Sequence, residues 1–175
     1  MGAYIKLHIG CGKRNWPGWV NIDGEKFNHI VSNDIYCGSF DLDSVSLIYS
    51  SHLIAYFDRV EIIGLLKAWY KKLKPGGTLR IATPDHEAMN YLYSNGVHLN
   101  YFLGPMYGKM PMAGSTIYHK TVWDFKSLKE FLELNGFVDV ERYDHTKTEH
   151  AQFDDHSAAY IQGTLISLNV QCHKP

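Results

Sequence analysis

Three short pieces, in one order, constrain this chain most. The apolar run Leu7-His8-Ile9 closes on Gly10-Cys11-Gly12, the run Trp19-Val20-Asn21-Ile22 ends on Asp23, and Lys74-Pro75-Gly76-Gly77 opens a third apolar run. A strand, a glycine turn and a second strand ending in a carboxylate make a nucleotide-cradling layout. Glycine lets backbone N–H groups approach a charged ligand, and an acid at the next strand's end can accept both hydroxyls of a ribose.

The 175 residues, 45% hydrophobic and 20% charged, fit one compact domain over residues 1–175. A formal net charge of -1 and the lack of a basic run argue against a nucleic-acid partner and favour a small neutral or zwitterionic ligand. No apolar stretch reaches bilayer length, and Met1-Gly2-Ala3-Tyr4-Ile5-Lys6 lacks the charged-then-apolar order of a secretory signal. A cytoplasmic protein without membrane contact is therefore expected. Cys11, Cys37 and Cys172 are odd in number and widely spaced, which disfavours a disulfide framework or a zinc site.

Tyr4 to Ile9 has strand alternation and runs straight into the glycine turn, and Pro17-Gly18 leaves room for about one helical turn before the next strand. Val45 to Ser50 predicts a buried strand with Ser51 and His52 at its carboxyl end, where open α/β sheets place ligands. Helical spacing of Ile62, Ile63, Leu66, Trp69, Tyr70 and Leu73 follows the capping pair Asp58 and Glu61. Pro75-Gly76-Gly77 turns the chain into a strand, Thr78 to Thr83, that ends at Asp85 on the same rim. Residues 86–120 hold an amphipathic piece and then an aromatic, Gly/Pro-punctuated stretch expected to form a lid or acceptor loop. A helix near 124–135, with Ser127 to Glu130 as its capping box, precedes two strands, Phe137 to Tyr143 and Thr164 to Cys172. With no helix between them, those strands should pair antiparallel at an edge.

With these residues in this order, the chain resembles the class I S-adenosylmethionine-dependent methyltransferases, more narrowly the small bacterial and phage type 11 enzymes often associated with glycan pathways. The match rests on Leu7 to Gly12, Pro17 to Asp23, Ser50-Ser51-His52-Leu53, Leu73 to Leu79, and Ser127 through Phe137. The resemblance implies an α/β, Rossmann-like, doubly wound sheet of seven strands, mostly parallel with one antiparallel strand near the edge. It implies S-adenosylmethionine as cofactor, with S-adenosylhomocysteine as product. Gly10, Cys11 and Gly12 would face its methionine half, Asp23 its ribose, Asp34 and Ile35 its adenine, and Ser51 and His52 its methyl group. His8 stands where many members carry an acid, Arg14 where a third glycine is frequent, and Ala55-Tyr56 where a Glu-His pair is common.

Methyl transfer from a sulfonium asks mainly for positioning and water exclusion, plus a base where the acceptor is a hydroxyl. His52 and His119 are the candidate bases, and Tyr56, Asp85 and Tyr118 the candidate acceptor contacts. His150, Asp154, Asp155 and His156 have metal-ligand chemistry, but adjacent side chains diverge and the stretch reads as an acidic loop, so no metal is expected. The expected partner is a small-molecule or saccharide substrate, methylated on oxygen or nitrogen. A regulatory protein that binds the cofactor without transferring its methyl group is the alternative. A nicotinamide dehydrogenase is opposed by Arg14 and Pro17, because the dinucleotide fingerprint needs a third glycine opening a long helix.

Overall fold

The computed structural model describes residues 4–175; Met1-Gly2-Ala3, part of the opening judged unlike a secretory signal, lie outside them. A six-stranded sheet organises the chain, built from β1 (Ile5–Ile9), β2 (Val20–Ile22), β3 (Val45–Ser51), β4 (Leu73–Pro84), β7 (Val138–Arg142) and β10 (Ser167–His173). Their spatial order is β2-β1-β3-β4-β10-β7. The first four run parallel, and β10 is antiparallel to both β4 and β7, which accounts for the helix-free connection at the carboxyl end. The expected seventh strand is replaced by one parallel bridge, Ile22 to Ser32, outside β2. Just beyond it Asp34 closes a turn by accepting from the Tyr36 and Gly38 amides, so the segment ends before a ladder can extend.

Helix α1 (Glu61–Lys72) and helix α4 (Phe125–Leu134) cover the same face of this sheet. Alternation along the strands sends Leu7, Ile48, Leu79, Ile81 and Val170 into that face, against Leu66 and Trp69 of α1 and Leu128 and Leu132 of α4. Asp58 accepts from the Val60 and Glu61 amides, and Glu61 accepts in return from the Asp58 amide, so α1 starts where the sequence placed its cap. The box at α4 is Asp124 with Ser127 rather than Ser127 with Glu130, because the aspartate lies one turn nearer the true helix start.

On the second face, a short 3-10 helix, His156–Ala158, meets β4 and β10. Beside it, aromatic side chains from loops cover the same face: Trp16, Trp19 and Phe153 pack with Leu47 and Tyr49. Pro17 and Gly18 prevent a first helix, and two tryptophans fill its place. Trp16 stacks on His8 at 3.9 Å and on Phe153 at 4.7 Å. Tyr49 donates to the buried Asp155 carboxylate, and His150 lies 4.1 Å from the Tyr49 ring.

Strand β4 begins at Leu73, so Pro75-Gly76-Gly77 forms an irregularity within it rather than a turn before it. A Cβ on Gly77 would lie 2.7 Å from the Lys74 carbonyl oxygen and 3.1 Å from that of Val45. Between β4 and α4 the chain forms α2 (His86–Ser94), the short α3 (Leu103–Tyr107), and a hairpin of β5 (Met110–Met112) with β6 (Ser115–Ile117). A small hairpin of β8 (Tyr160–Ile161) with β9 (Thr164–Leu165) leads into β10. Among the described residues no helix is long and apolar enough to cross a membrane.

Candidate active site

A cavity of about 1150 Å³ opens at the carboxyl ends of β1, β2 and β3. Its floor is the glycine turn. Gly10 has φ +77° and sits so close to Leu53 that a Cβ there would approach the leucine side chain to 3.1 Å. Gly10 and Gly12 line the cavity, whereas Cys11 points into the core, fully buried, its thiol pushed up to about 12 by burial and by the neighbouring Asp23 carboxylate.

The turn differs from expectation in one chemical respect. The amides of Gly10 and Cys11 both donate to the Ile22 carbonyl, and the Gly12 amide donates to Asp23 Oδ2 at 2.7 Å. These glycines supply room and shape rather than free N–H donors. Asp23 Oδ1 in turn accepts from the Glu25 amide at 2.8 Å, so its carboxylate is fixed by two backbone groups at the cavity wall.

Ile35 and Phe27 line the same end, beyond Asp23. Asp34 does not line the cavity, because the Asx turn that stops the seventh strand uses both of its oxygens. Over this end lies the β5–β6 hairpin: Glu25 Oε2 accepts from the Ala113 amide at 2.8 Å, and Met112 packs against Gly24. Within the stretch expected to form a lid or acceptor loop, the structure has a two-stranded flap with Ala113-Gly114, both at positive φ, as its tip.

Ser51 and His52 line the cavity where β3 ends. The Ser51 hydroxyl is buried without a hydrogen-bond partner. His52 holds φ +54°, a conformation costing a non-glycine residue about 1–2 kcal/mol. Its Nε2 lies 3.3 Å from Ser167 Oγ, and burial, helped by the nearby His156 and His119, pushes the imidazole down to about 3.

On the far wall are Tyr56, Tyr118 and His119. Tyr56 donates to the Gly108 carbonyl at 2.6 Å and packs edge-on against His119 at 4.5 Å. His119 Nδ1 lies 3.0 Å from the Pro105 carbonyl, which assigns the ring proton to Nδ1, and burial lowers its basicity. Asp85 is placed elsewhere. It is buried outside the cavity, where it caps α2 through the Glu87 and Ala88 amides and pairs with Arg142 at 3.0 Å.

The sequence had not singled out Lys13 or His156 for the site, yet both line the cavity, as does Arg14. His156 arrives from the segment between β7 and β8, its ring 5.2 Å from that of His52. No cluster of three or more metal-ligating side chains occurs among the described residues.

No protein-family profile and no curated protein sequence matches this chain. Solved structures do match its fold. One is the S-adenosylmethionine-dependent methyltransferase SibL in its apo form, with a TM-score of 0.60 and 16% identity, over 98% of this chain and 50% of SibL. A second is a SAM-dependent methyltransferase from Archaeoglobus fulgidus, with a TM-score of 0.56 and 18% identity over 99% of this chain and 87% of that one. A third, from Thermotoga maritima, is described as a SAM-dependent methyltransferase, possibly acting on histamine nitrogen; its TM-score is 0.58 at 13% identity, over 100% of this chain and 84% of that one. The present chain thus spans half the length of SibL and most of the other two, and its fold is the one these methyltransferases share.

Proposed function

We propose that the protein is an S-adenosylmethionine-dependent methyltransferase acting on a small-molecule or saccharide acceptor. One observation carries the reading: the glycine turn and the acid of the next strand meet in a single cavity, joined by the Gly12 amide and Asp23 Oδ2 at 2.7 Å, with His52 at the adjacent strand end. The residues fit the cofactor. The cavity is ample beside the roughly 300–1,000 Å³ of ordinary small-molecule sites, and Asp23 keeps unused lone pairs for a ribose diol. Ile35 and Phe27 offer apolar surface for a base. When bound, S-adenosylmethionine supplies a methyl group on a sulfonium that is its own leaving group. The protein's share is orientation by Asp23, Ser51 and His52, and exclusion of water by Met110 and Met112 of the flap.

Calorimetry with S-adenosylhomocysteine tests the reading: micromolar binding in the wild type and a large loss in Asp23→Ala are expected, and absence of binding rejects it. The alternative, a binding protein without turnover, is favoured by the engagement of His52 with Ser167 and of His119 with Pro105. Steady release of S-adenosylhomocysteine in the presence of acceptor excludes that alternative.

A further inference from the structure

Two cations, Lys13 and Arg14, line the cavity just after the glycine turn. Arg14 Nε donates to the Asp154 carbonyl at 2.7 Å, which fixes the guanidinium and leaves its terminal nitrogens available. Among the described residues neither Arg14 nor Lys13 forms an ion pair. His156 stands beside them, its basicity lowered by burial and then by the Arg14 charge, while the Asp155 and Asp154 carboxylates act on it in the opposite sense. The carboxylate preceding it, Asp155, is turned away into the second face, where it accepts from Tyr49 and from the Ser157 amide. The carboxylates that line the cavity are Asp23 and Glu25, both at the flap end and both holding backbone amides. Two cations without an ion-pair partner thus line the cavity near His156, whose ring lies 5.2 Å from that of His52.

The three imidazoles that line the cavity, His52, His119 and His156, are weak bases. His52 Nε2 faces Ser167, and the His119 ring is tied to Pro105 and pressed against Gly108. Burial lowers the basicity of all three. A hydroxyl acceptor must lose its proton to such a group, whereas a carboxylate at neutral pH is already ionised.

We propose that the acceptor is a small organic carboxylate, held by Arg14 and His156 beside His52, and that the methyl group passes to its ionised oxygen. An oxygen lone pair forms the new O–C bond, the C–S bond breaks with its electron pair returning to sulfur, and the products are a methyl ester and a neutral thioether. No proton moves. This inference rests on the methyltransferase reading above.

Two measurements test it. Protein saturated with S-adenosylhomocysteine is titrated with benzoate and, separately, with the uncharged benzyl alcohol. Benzoate should bind at least tenfold tighter, Arg14→Gln should erase the preference, and Arg14→Lys should retain most of it. In parallel, methyl-labelled S-adenosylmethionine is incubated with the small-molecule fraction of cells, and the labelled product is treated with mild alkali. A methyl ester releases its label as volatile methanol; a base-stable label overturns the proposal. So does equal binding of the two probes, or Arg14→Gln weakening S-adenosylhomocysteine tenfold with benzoate unchanged, which would assign Arg14 to the cofactor's own carboxylate. Failure of the wild type to bind S-adenosylhomocysteine would instead reject the methyltransferase reading.

Discussion

Gly12 donates its amide hydrogen to Asp23 Oδ2 across 2.7 Å, so the turn that ends the first strand and the acid that follows the second hold each other at one wall of the cavity. The Glu25 amide fixes the other oxygen at 2.8 Å. A pre-oriented carboxylate binds a diol without first losing side-chain entropy.

Asp23→Ala removes this acceptor from both the ligand and the turn. Hydrogen bonds to a charged group contribute about 1.5–3 kcal/mol each, so the Kd for S-adenosylhomocysteine should rise about 10- to 100-fold. Calorimetry on the wild type and the variant checks it, and unchanged affinity would remove Asp23 from the site.

Gly10→Ala should destabilise the fold by at least about 1–2 kcal/mol, because φ +77° disfavours any side chain. A Cβ would in addition meet Leu53 at 3.1 Å. Adding Leu53→Gly, which removes the Cβ that makes that contact, should relieve the steric share but not the backbone share. Urea midpoints for the single and double variants separate the two.

The helix-covered face was legible in the sequence because it obeys periodicity: Leu66, Trp69, Leu128 and Leu132 recur at helical spacing, and Leu168, Val170 and Cys172 alternate. The place of the glycine turn was legible too, but not the use of its amides, since backbone pairing leaves no mark on residue identity. The second face escaped detection. Its partners, Trp16, Tyr49, His150 and Asp155, lie far apart in the chain and follow no period. His156 was missed for the same reason: it resembled one more residue of an acidic loop until tertiary packing brought it beside His52. Asp85 misled in the opposite sense, since a strand-end acid looks the same whether it meets a ligand or caps the next helix.

That second face predicts an acid-sensitive fold. Burial pushes His8 down to about 3 and His150 down to about 4, and both are almost wholly buried. In the unfolded chain both titrate near 6.5. Their contribution is complete above about pH 6.5 and is lost progressively as pH falls, because the unfolded state takes up protons that the native state refuses until pH 4 and 3. His52, likewise pushed down to about 3, makes three protons outstanding near pH 5, so stability should drop by about 4 kcal/mol per pH unit. Urea denaturation between pH 7.5 and 4.5 measures the slope, and His150→Phe should cut it by roughly a third.

Trp16→Ala should cost about 3–5 kcal/mol, since the ring is 4% exposed and stacks between His8 and Phe153. The loss should also loosen the 144–159 segment that Phe153 anchors, seen as faster amide exchange there than in α1. Equal protection in both regions would mean that the tryptophan does not hold that segment.

The flap joins the site to the rest of the chain through one contact that can be shifted in either direction. Glu25 leaves Asp23 through its own amide and reaches the Ala113 amide with its side chain, so the residue that orients the acid also fastens the hairpin tip. Glu25→Ala keeps the first bond and deletes the second. Ala113 holds φ +49° in the two-residue tip, a strain that Ala113→Gly relieves without touching the latch. The two substitutions should therefore act oppositely on a ligand enclosed beneath the flap. Glu25→Ala should speed dissociation of S-adenosylhomocysteine about 3- to 10-fold and expose residues 111–115 to protease, while Ala113→Gly should slow both. Stopped-flow displacement and limited proteolysis read the two effects independently. If neither rate changes in Glu25→Ala, the hairpin is not what retains the ligand.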